Sequence, residues 1–174
     1  LSYTSFSQEL MKDSFYFDGE TGNISIDVKV KNIGDVPSKE VVSLYVQSPY
    51  TEYDIEKKIE KSAIQLAAIN KTDILNPGEY EIVTMTFDSK YIATYDKTVI
   101  HEGTTGGYIL EKGNYYLSIG NGAHNAVNNI LLDKGIDSSL LTINEGEDTN
   151  INNIYKWDTS KESVFQFDSN GVES

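Results

Sequence analysis

From Asn23 to Asn32 apolar and polar residues alternate strictly: Ile24, Ile26, Val28 and Val30 are interleaved with Ser25, Asp27, Lys29 and Lys31. A period of two sends one set to a dry face and the other to water, so the segment predicts a half-buried strand. Gly34-Asp35 breaks it, and Pro37 keeps it from resuming at once. A second strand is predicted over residues 40–47, with Val42, Leu44 and Val46 on the dry face and Val41, Ser43 and Tyr45 on the other. Pro49 ends it. Residues 50–61 are charged and aromatic and read as a surface loop, with one helical turn suggested by Ile55 and Ile59. Residues 62–69 resume as a strand that places Ile64, Leu66 and Ala68 on one side.

Asn76-Pro77-Gly78 has turn chemistry, because proline presets φ near −65° and glycine accepts a positive φ after it. The strand predicted next, residues 80–87, groups Val83, Met85 and Phe87. Residues 91–96 read as short and irregular, and 97–107, with Gly103, Gly106 and Gly107, as an excursion. Residues 115–120 put Tyr115, Leu117 and Ile119 on one face, and residues 126–132 are expected to add a last strand. Short strands separated by turn signals, with no long amphipathic helix between them, predict an antiparallel β-sandwich.

After about Leu141 the pattern changes. Residues 142–174 are rich in Asn, Asp, Glu and Ser, with scattered aromatics and no sustained period. The expected organisation is a sandwich over residues 1–140 and a polar tail or inter-domain connector over 141–174. The single tryptophan, Trp157, favours packing of part of that tail, since a large apolar ring seldom stays in water.

Composition narrows the function classes. Twenty-seven acidic against 14 basic residues give a net charge of −13. That excludes the basic footprint of a nucleic-acid binder and argues against docking on anionic lipid. No apolar run approaches the ~20 residues of a membrane span. The absence of cysteine removes disulfides, thiolate zinc sites and thiol catalysis, and leaves the compartment open. Twelve tyrosines lean the composition toward strands. The chain opens on Leu1-Ser2-Tyr3-Thr4, without an initiator Met or a charged and apolar leader, and reads as a piece of a longer polypeptide.

No catalytic constellation emerges. His101 and His124 lack partners at metal-ligand spacing, so no metal and no cofactor is expected. The nucleophile elbow of serine hydrolases is absent. Gly120-Asn-Gly122 begins like a nucleotide loop, but Asn125 occupies the third glycine position and a strand-ending turn is expected instead. Asp168-Ser-Asn-Gly171 imitates the front of a calcium loop with the wrong spacing to its final acid. Asn23-Ile-Ser25 and Asn70-Lys-Thr72 match the glycan-acceptor pattern. The most site-like group is Tyr50, Tyr53 and Asp54: aromatic faces stack on sugar C–H surfaces and a carboxylate binds hydroxyls, so contact with carbohydrate or a partner is expected there, against a solvated loop as the plain alternative.

Several segments resemble one family. Leu1-Ser2-Tyr3-Thr4 resembles the junction that, in family 3 glycoside hydrolases (β-glucosidases and β-xylosidases), leads into a fibronectin type III-like module. Val30-Lys-Asn-Ile-Gly-Asp35 is similar to that module's "V-x-N-T/I-G" strand end. Lys39-Glu-Val-Val-Ser-Leu-Tyr-Val46 resembles its "K/E-V-V-Q-L-Y-V" motif, with Ser43 in place of Gln. Leu75-Asn-Pro-Gly-Glu79 resembles "L-x-P-G-E", Ile92-Ala-Thr-Tyr-Asp96 resembles "L-S-x-Y-D", and Gly113–Gly120 resembles the closing "G-x-Y-x-x-x-I-G" strand. The motifs keep their order over roughly residues 1–122. The segment 97–110 is longer than in compact members, and nothing in the common module matches the tail.

The resemblance implies an all-β, immunoglobulin-like or fibronectin type III-like antiparallel sandwich with extended loops. It implies a parent that is a retaining exo-glycosidase of β-glucosidase type, with an Asp nucleophile and a Glu acid/base in its other domains. No residue of this chain inherits a catalytic role. The expected function is a non-catalytic structural module that braces the catalytic domains of the same parent chain, with loop 48–61 or the excursion 97–110 near the rim of the active site. The alternatives are an independent carbohydrate-binding module, taking an oligosaccharide at a loop, and a surface adhesion domain. In members with permuted domain order a barrel follows this module, and a connecting tail at 141–174 suits that arrangement. The sequence leaves a cytoplasmic or a secreted location open, in a bacterial-type soluble protein.

Overall fold

The computed structural model describes residues 4–49, 64–101, 103–142, 150–159 and 166–167. Among these are ten strands: β1 (Phe6–Phe17), β2 (Asn23–Asn32), β3 (Val41–Gln47), β4 (Gln65–Lys71), β5 (Tyr80–Asp88), β6 (Thr94–His101), β7 (Thr104–Ile109), β8 (Asn114–Ile119), β9 (Ile154–Asp158) and β10 (Gln166–Phe167). One α-helix, α1 (Ala123–Asp133), follows β8. A three-stranded sheet has the order β1-β2-β5, and a four-stranded sheet the order β4-β3-β8-β9. A small third sheet, β10-β7-β6, is built on the hairpin of β6 and β7. Every pairing is antiparallel. This is the all-β sandwich that the alternation predicts.

The dry rows of the two larger sheets form the core. Ile24, Ile26, Val28 and Val30 of β2 and Val83, Met85 and Phe87 of β5 belong to the same buried cluster as Val42, Leu44 and Val46 of β3 and Tyr115, Leu117 and Ile119 of β8. An aromatic cluster joins β1 to β9. Trp157, 4% exposed, packs with Phe17, Phe15 and Tyr115 at ring-centroid distances of 5.0, 5.5 and 5.4 Å, and Tyr155 stacks on Phe15 at 4.3 Å. The polar segment after residue 141 therefore contributes a strand to the four-stranded sheet, and its tryptophan is packed as expected.

The family-like motifs have mechanical explanations. Asn32, fully buried, ties two loops at one end of the sandwich. Its Nδ2 donates to Val36 O at 2.9 Å and Leu75 O at 2.8 Å, and its Oδ1 accepts from Gly34 N and Thr4 Oγ1. A Cβ on Gly34 would collide with the side chain of Thr4. Gly78, at φ +86°, closes the other loop by donating its N–H to Asn32 O. Glu79 Oε1 accepts from Asn76 N at 2.8 Å and stiffens the same turn.

Three expectations are corrected, and one strand is added that the alternation does not predict. Residues 126–132 lie in α1 and form no strand. Ala123, Ala126, Val127, Ile130 and Leu131 follow the helical i, i+3, i+4 spacing, with Ala126 and Ile130 fully buried. Gly135 (φ +92°) donates to Leu132 O and Ile136 N donates to Leu131 O, the paired bonds of a Schellman end. Leu66 and Ala68 do not share a side. A register shift between the Leu44 and Tyr45 pairings sets Ala68 opposite inward Leu44 and Leu66 opposite outward Tyr45, which leaves Leu66 48% exposed. The excursion at 97–107 and the irregular segment before it contain β6 and β7, preceded by a 3-10 turn over Ser89–Ile92. Residues 6–17 supply an edge strand, β1, whose register against β2 shifts between Met11 and Tyr16.

Candidate functional site

The predicted contact residues Tyr50, Tyr53 and Asp54 lie outside the described residues, as does Asp168-Ser-Asn-Gly171. The described flanks of the 50–63 segment are anchored at the end of the sandwich opposite Asn32. Ser48 Oγ donates to Ile92 O at 3.3 Å, and Gln65 Nε2 donates to Tyr91 O at 2.6 Å. Gly113, at φ +150°, has no side chain where Pro49 approaches: a Cβ there would lie 2.9 Å from Pro49 Cβ. The base of the loop is thus held between the 3-10 turn and the turn that opens β8.

That second turn is a dense knot of hydrogen bonds. Tyr115 Oη donates to Glu111 O at 3.1 Å, four residues upstream, in the manner of the tyrosine corner of β-sandwiches. Thr159 Oγ1 donates to Glu111 O at 2.8 Å and accepts from Gly113 N at 2.9 Å. The Glu111 carboxylate, 5% exposed, accepts from Thr94 Oγ1 at 3.2 Å and so joins the knot to β6. In the hairpin beyond, Tyr95 and Tyr108 meet edge to face at 5.2 Å, and Gly106 leaves room for the Tyr95 hydroxyl. These groups hold loops in place. Glu111 and Asp96 are buried, and the Asp96 carboxylate accepts from Thr98 N and Oγ1.

The remaining sequence candidates are placed as follows. His124 is exposed on α1, and His101 ends β6. Among the described residues no group of three or more His, Cys, Asp or Glu side chains is arranged to hold a metal ion. Gly120-Asn-Gly122 follows β8, and α1 comes next, where a strand over 126–132 is expected from the sequence. The space left by Gly120 is filled by Asn125, whose Oδ1 accepts from Asn121 N at 3.0 Å and would lie 2.7 Å from a Cβ on Gly120. The loop closes on itself, so the turn reading fits it. Asn23 and Asn70 are exposed, but Asn70 Nδ2 donates to Thr84 O and Thr72 is buried, accepting from Glu40 N. No helix among the described residues is long and apolar enough to cross a membrane.

Two carboxylates are held below the ordinary aspartate range. Asp18 accepts the backbone N–H of Glu20, and Asp137 that of Ser139; in each case this bond is the largest cause. Both lie in turns.

The outward surfaces were not singled out from the sequence. On the four-stranded sheet, α1 lies over β8 and β9. Asn129 Nδ2 donates to Ser118 Oγ and Ile119 O at 3.3 and 3.2 Å, and its Oδ1 accepts from Asn150 N at 2.8 Å. Lys134 at the helix end bonds Gln47 Oε1 at 2.7 Å and lies 4.7 Å over the Tyr116 ring. The β3–β4 half of this face is left bare by the helix, with Val41 56%, Leu66 48% and Ile69 62% exposed. The available signal was Val41 and Tyr45 in the outward phase of an otherwise clean alternation.

An antiparallel sandwich with a tyrosine corner defines the class as a fibronectin-type module. Residues 40–123 match the fibronectin type III-like domain. Beta-glucosidase A of Butyrivibrio fibrisolvens is 34% identical over 131 residues, which cover 69% of this chain and 15% of that protein. A beta-glucosidase from Paenibacillus barengoltzii has a solved structure similar over 71% of this chain and 13% of its own, with 32% identity and a TM-score of 0.57. The structure of beta-glucosidase 3B from Thermotoga neapolitana shares the fold over 97% of this chain and 17% of its own, with a TM-score of 0.60 at 22% identity. The chain carries a fibronectin type III-like domain whose counterparts are small parts of larger proteins named beta-glucosidases. It spans about 15% of the length of the curated relatives it matches.

Proposed function

We propose that the chain is a non-catalytic structural module of a β-glucosidase-type retaining exo-glycosidase of family 3, bracing the catalytic domains of the same polypeptide. The observation that carries this reading is the use to which the family-like residues are put. Asn32, Gly34, Gly78, Gly113 and Tyr115 all hold the module's own loops. The nucleophile and acid/base of such a retaining enzyme are paired carboxylates about 5–5.5 Å apart across a cleft, and they belong to the other domains in this reading. The organisation expected from sequence, a sandwich over 1–140 and a connector over 141–174, enters it with β9 counted in the sandwich, and a connector role is proposed for the rest of 141–174. The anchoring of Ser48 and Gln65 supports a contact role for Tyr50, Tyr53 and Asp54, toward sugar or the rim of the parent's active site.

The test is Asn32→Ala in the full-length parent. The substitution takes the side-chain partner from Val36 O, Gly34 N and Thr4 Oγ1 and leaves Leu75 O with Ser38 N as its donor, and a group left unpaired away from water costs about 1–3 kcal/mol. The unfolding midpoint should fall while kcat/KM, measured well below it, stays at the wild-type value. A loss of kcat/KM at unchanged stability would instead make the module part of the catalytic site.

A further inference from the structure

We infer that the bare half of the outer face of the four-stranded sheet is the surface by which this module packs against the rest of its parent polypeptide. The inference rests on the bracing role proposed above and assigns it to one face. Three observations carry it.

The first is the row of side chains. β3 turns Val41, Ser43, Tyr45 and Gln47 outward, and β4 turns Leu66 and Ile69 outward. Register makes them neighbours, with Ser43 opposite Ile69 and Tyr45 opposite Leu66. Val41, Leu66 and Ile69 are each about half exposed or more. A contiguous apolar surface of this kind on a soluble domain marks an interaction site more often than a solvated face.

The second is charge. The whole chain carries −13, yet no carboxylate occupies an outward position of β3 or β4. The charged groups at the margins include Lys71, opposite Val41, Glu40, whose Oε1 accepts from Val41 N, and Lys134, held on Gln47 and Tyr116. The complementary surface is therefore apolar at its centre and polar at its rim.

The third is the length of chain outside this module. It makes up about 15% of the relatives it matches, so the bulk of a comparable parent is covalently tethered to it. A tethered partner is present at high effective concentration and can be held by an interface too small for free association. Interfaces between domains of one chain are typically about 600–1,500 Å² and partly polar, in keeping with a patch of Val, Leu, Ile and Tyr edged by Ser, Gln and Lys.

The experiment places a photo-crosslinking amino acid at Ile69, and separately at Thr86 on the outer face of the three-stranded sheet, in the full-length parent. Mass spectrometry then identifies the crosslinked peptides. The expected result is an intrachain crosslink from position 69 to a peptide outside these 174 residues, and none from position 86. A crosslink outside the module from 86 but not from 69 overturns the assigned face while leaving the bracing role intact. No crosslink outside the module from either position overturns both. A crosslink from 69 to a second copy, or only to other residues of these 174, also overturns the assignment, in favour of self-association or of coverage by the module's own loops.

Discussion

The outer faces of the two large sheets follow the same alternation and end in different chemistry. On the three-stranded sheet the outward rows mix exposed Tyr16, Tyr80 and Ile82 with polar groups that find their partners locally. Glu9 stands opposite Lys29, Lys29 Nζ lies 4.5 Å over the Tyr80 ring, and Thr84 Oγ1 donates to Asp27 at 2.7 Å. Such cross-strand pairs are worth a few tenths to about 1 kcal/mol each, and they leave the face compatible with water. On the four-stranded sheet the outward rows of β3 and β4 bring Val41, Tyr45, Leu66 and Ile69 together. Half is covered by α1, which is tied down by Asn129, and half is bare. A sandwich of short strands needs only its inner rows for a core. The outer rows are free to be finished against solvent or left for packing, and aliphatic residues grouped on neighbouring strands, as Val41, Leu66 and Ile69 are on β3 and β4, mark the second outcome.

The largest expected effect that separates the faces comes from Asn129→Ala. It removes the partner of half-buried Asn150 N and one bond each from Ser118 Oγ and Ile119 O, which stay bonded to each other, at a cost of about 1–3 kcal/mol. Amides of α1 should exchange with solvent faster by hydrogen–deuterium exchange, while those of β2 and β5 keep their protection. Equal loss of protection in both sheets would mean that the helix is part of one cooperative core and not a cover on one face.

The inner rows were legible in the sequence because, apart from Asn32 and Glu81 at strand ends, the dry-face residues of β2, β3, β5 and β8 are Ile, Val, Leu, Met, Phe or Tyr. The turn at Pro77-Gly78 was legible for the same local reason. What escaped was structure whose signal is not local. β9 has five residues in a polar segment, and only its pairing with β8 and the packing of Trp157 make it a strand. β1 carries a register shift that breaks its alternation, with Ser14 Oγ accepting from Asp27 N across the irregularity. Leu66 changed faces because β4 contains a similar shift. α1 shows a helical period, but its buried face includes Asn125, Asn128 and Asn129, which hides it from an apolar count. The contact residues Tyr50, Tyr53 and Asp54 remain a reading of the sequence.

A smaller effect follows from the two turn aspartates, one beside each sheet. Asp18 lies in the β1–β2 turn, and Asp137 follows α1. Each is held below the ordinary aspartate range, chiefly by a backbone N–H. A carboxylate with a depressed folded pKa stabilises the fold above its unfolded pKa of about 3.9, and that contribution is lost as pH falls through the folded value. Carboxyl titration by NMR should give midpoints below that of a free aspartate for both residues. An ordinary midpoint for either would mean that its turn is open in solution.

The most direct test of a non-catalytic module uses the 174-residue chain and its single tryptophan. Trp157 is buried against Phe17 and Tyr115, so blue-shifted emission that moves red in denaturant reports a folded sandwich. A preparation with that emission should show no hydrolysis of an aryl-β-glucoside above the uncatalysed rate. Turnover that rises with protein concentration and disappears with the folded emission would contradict the account.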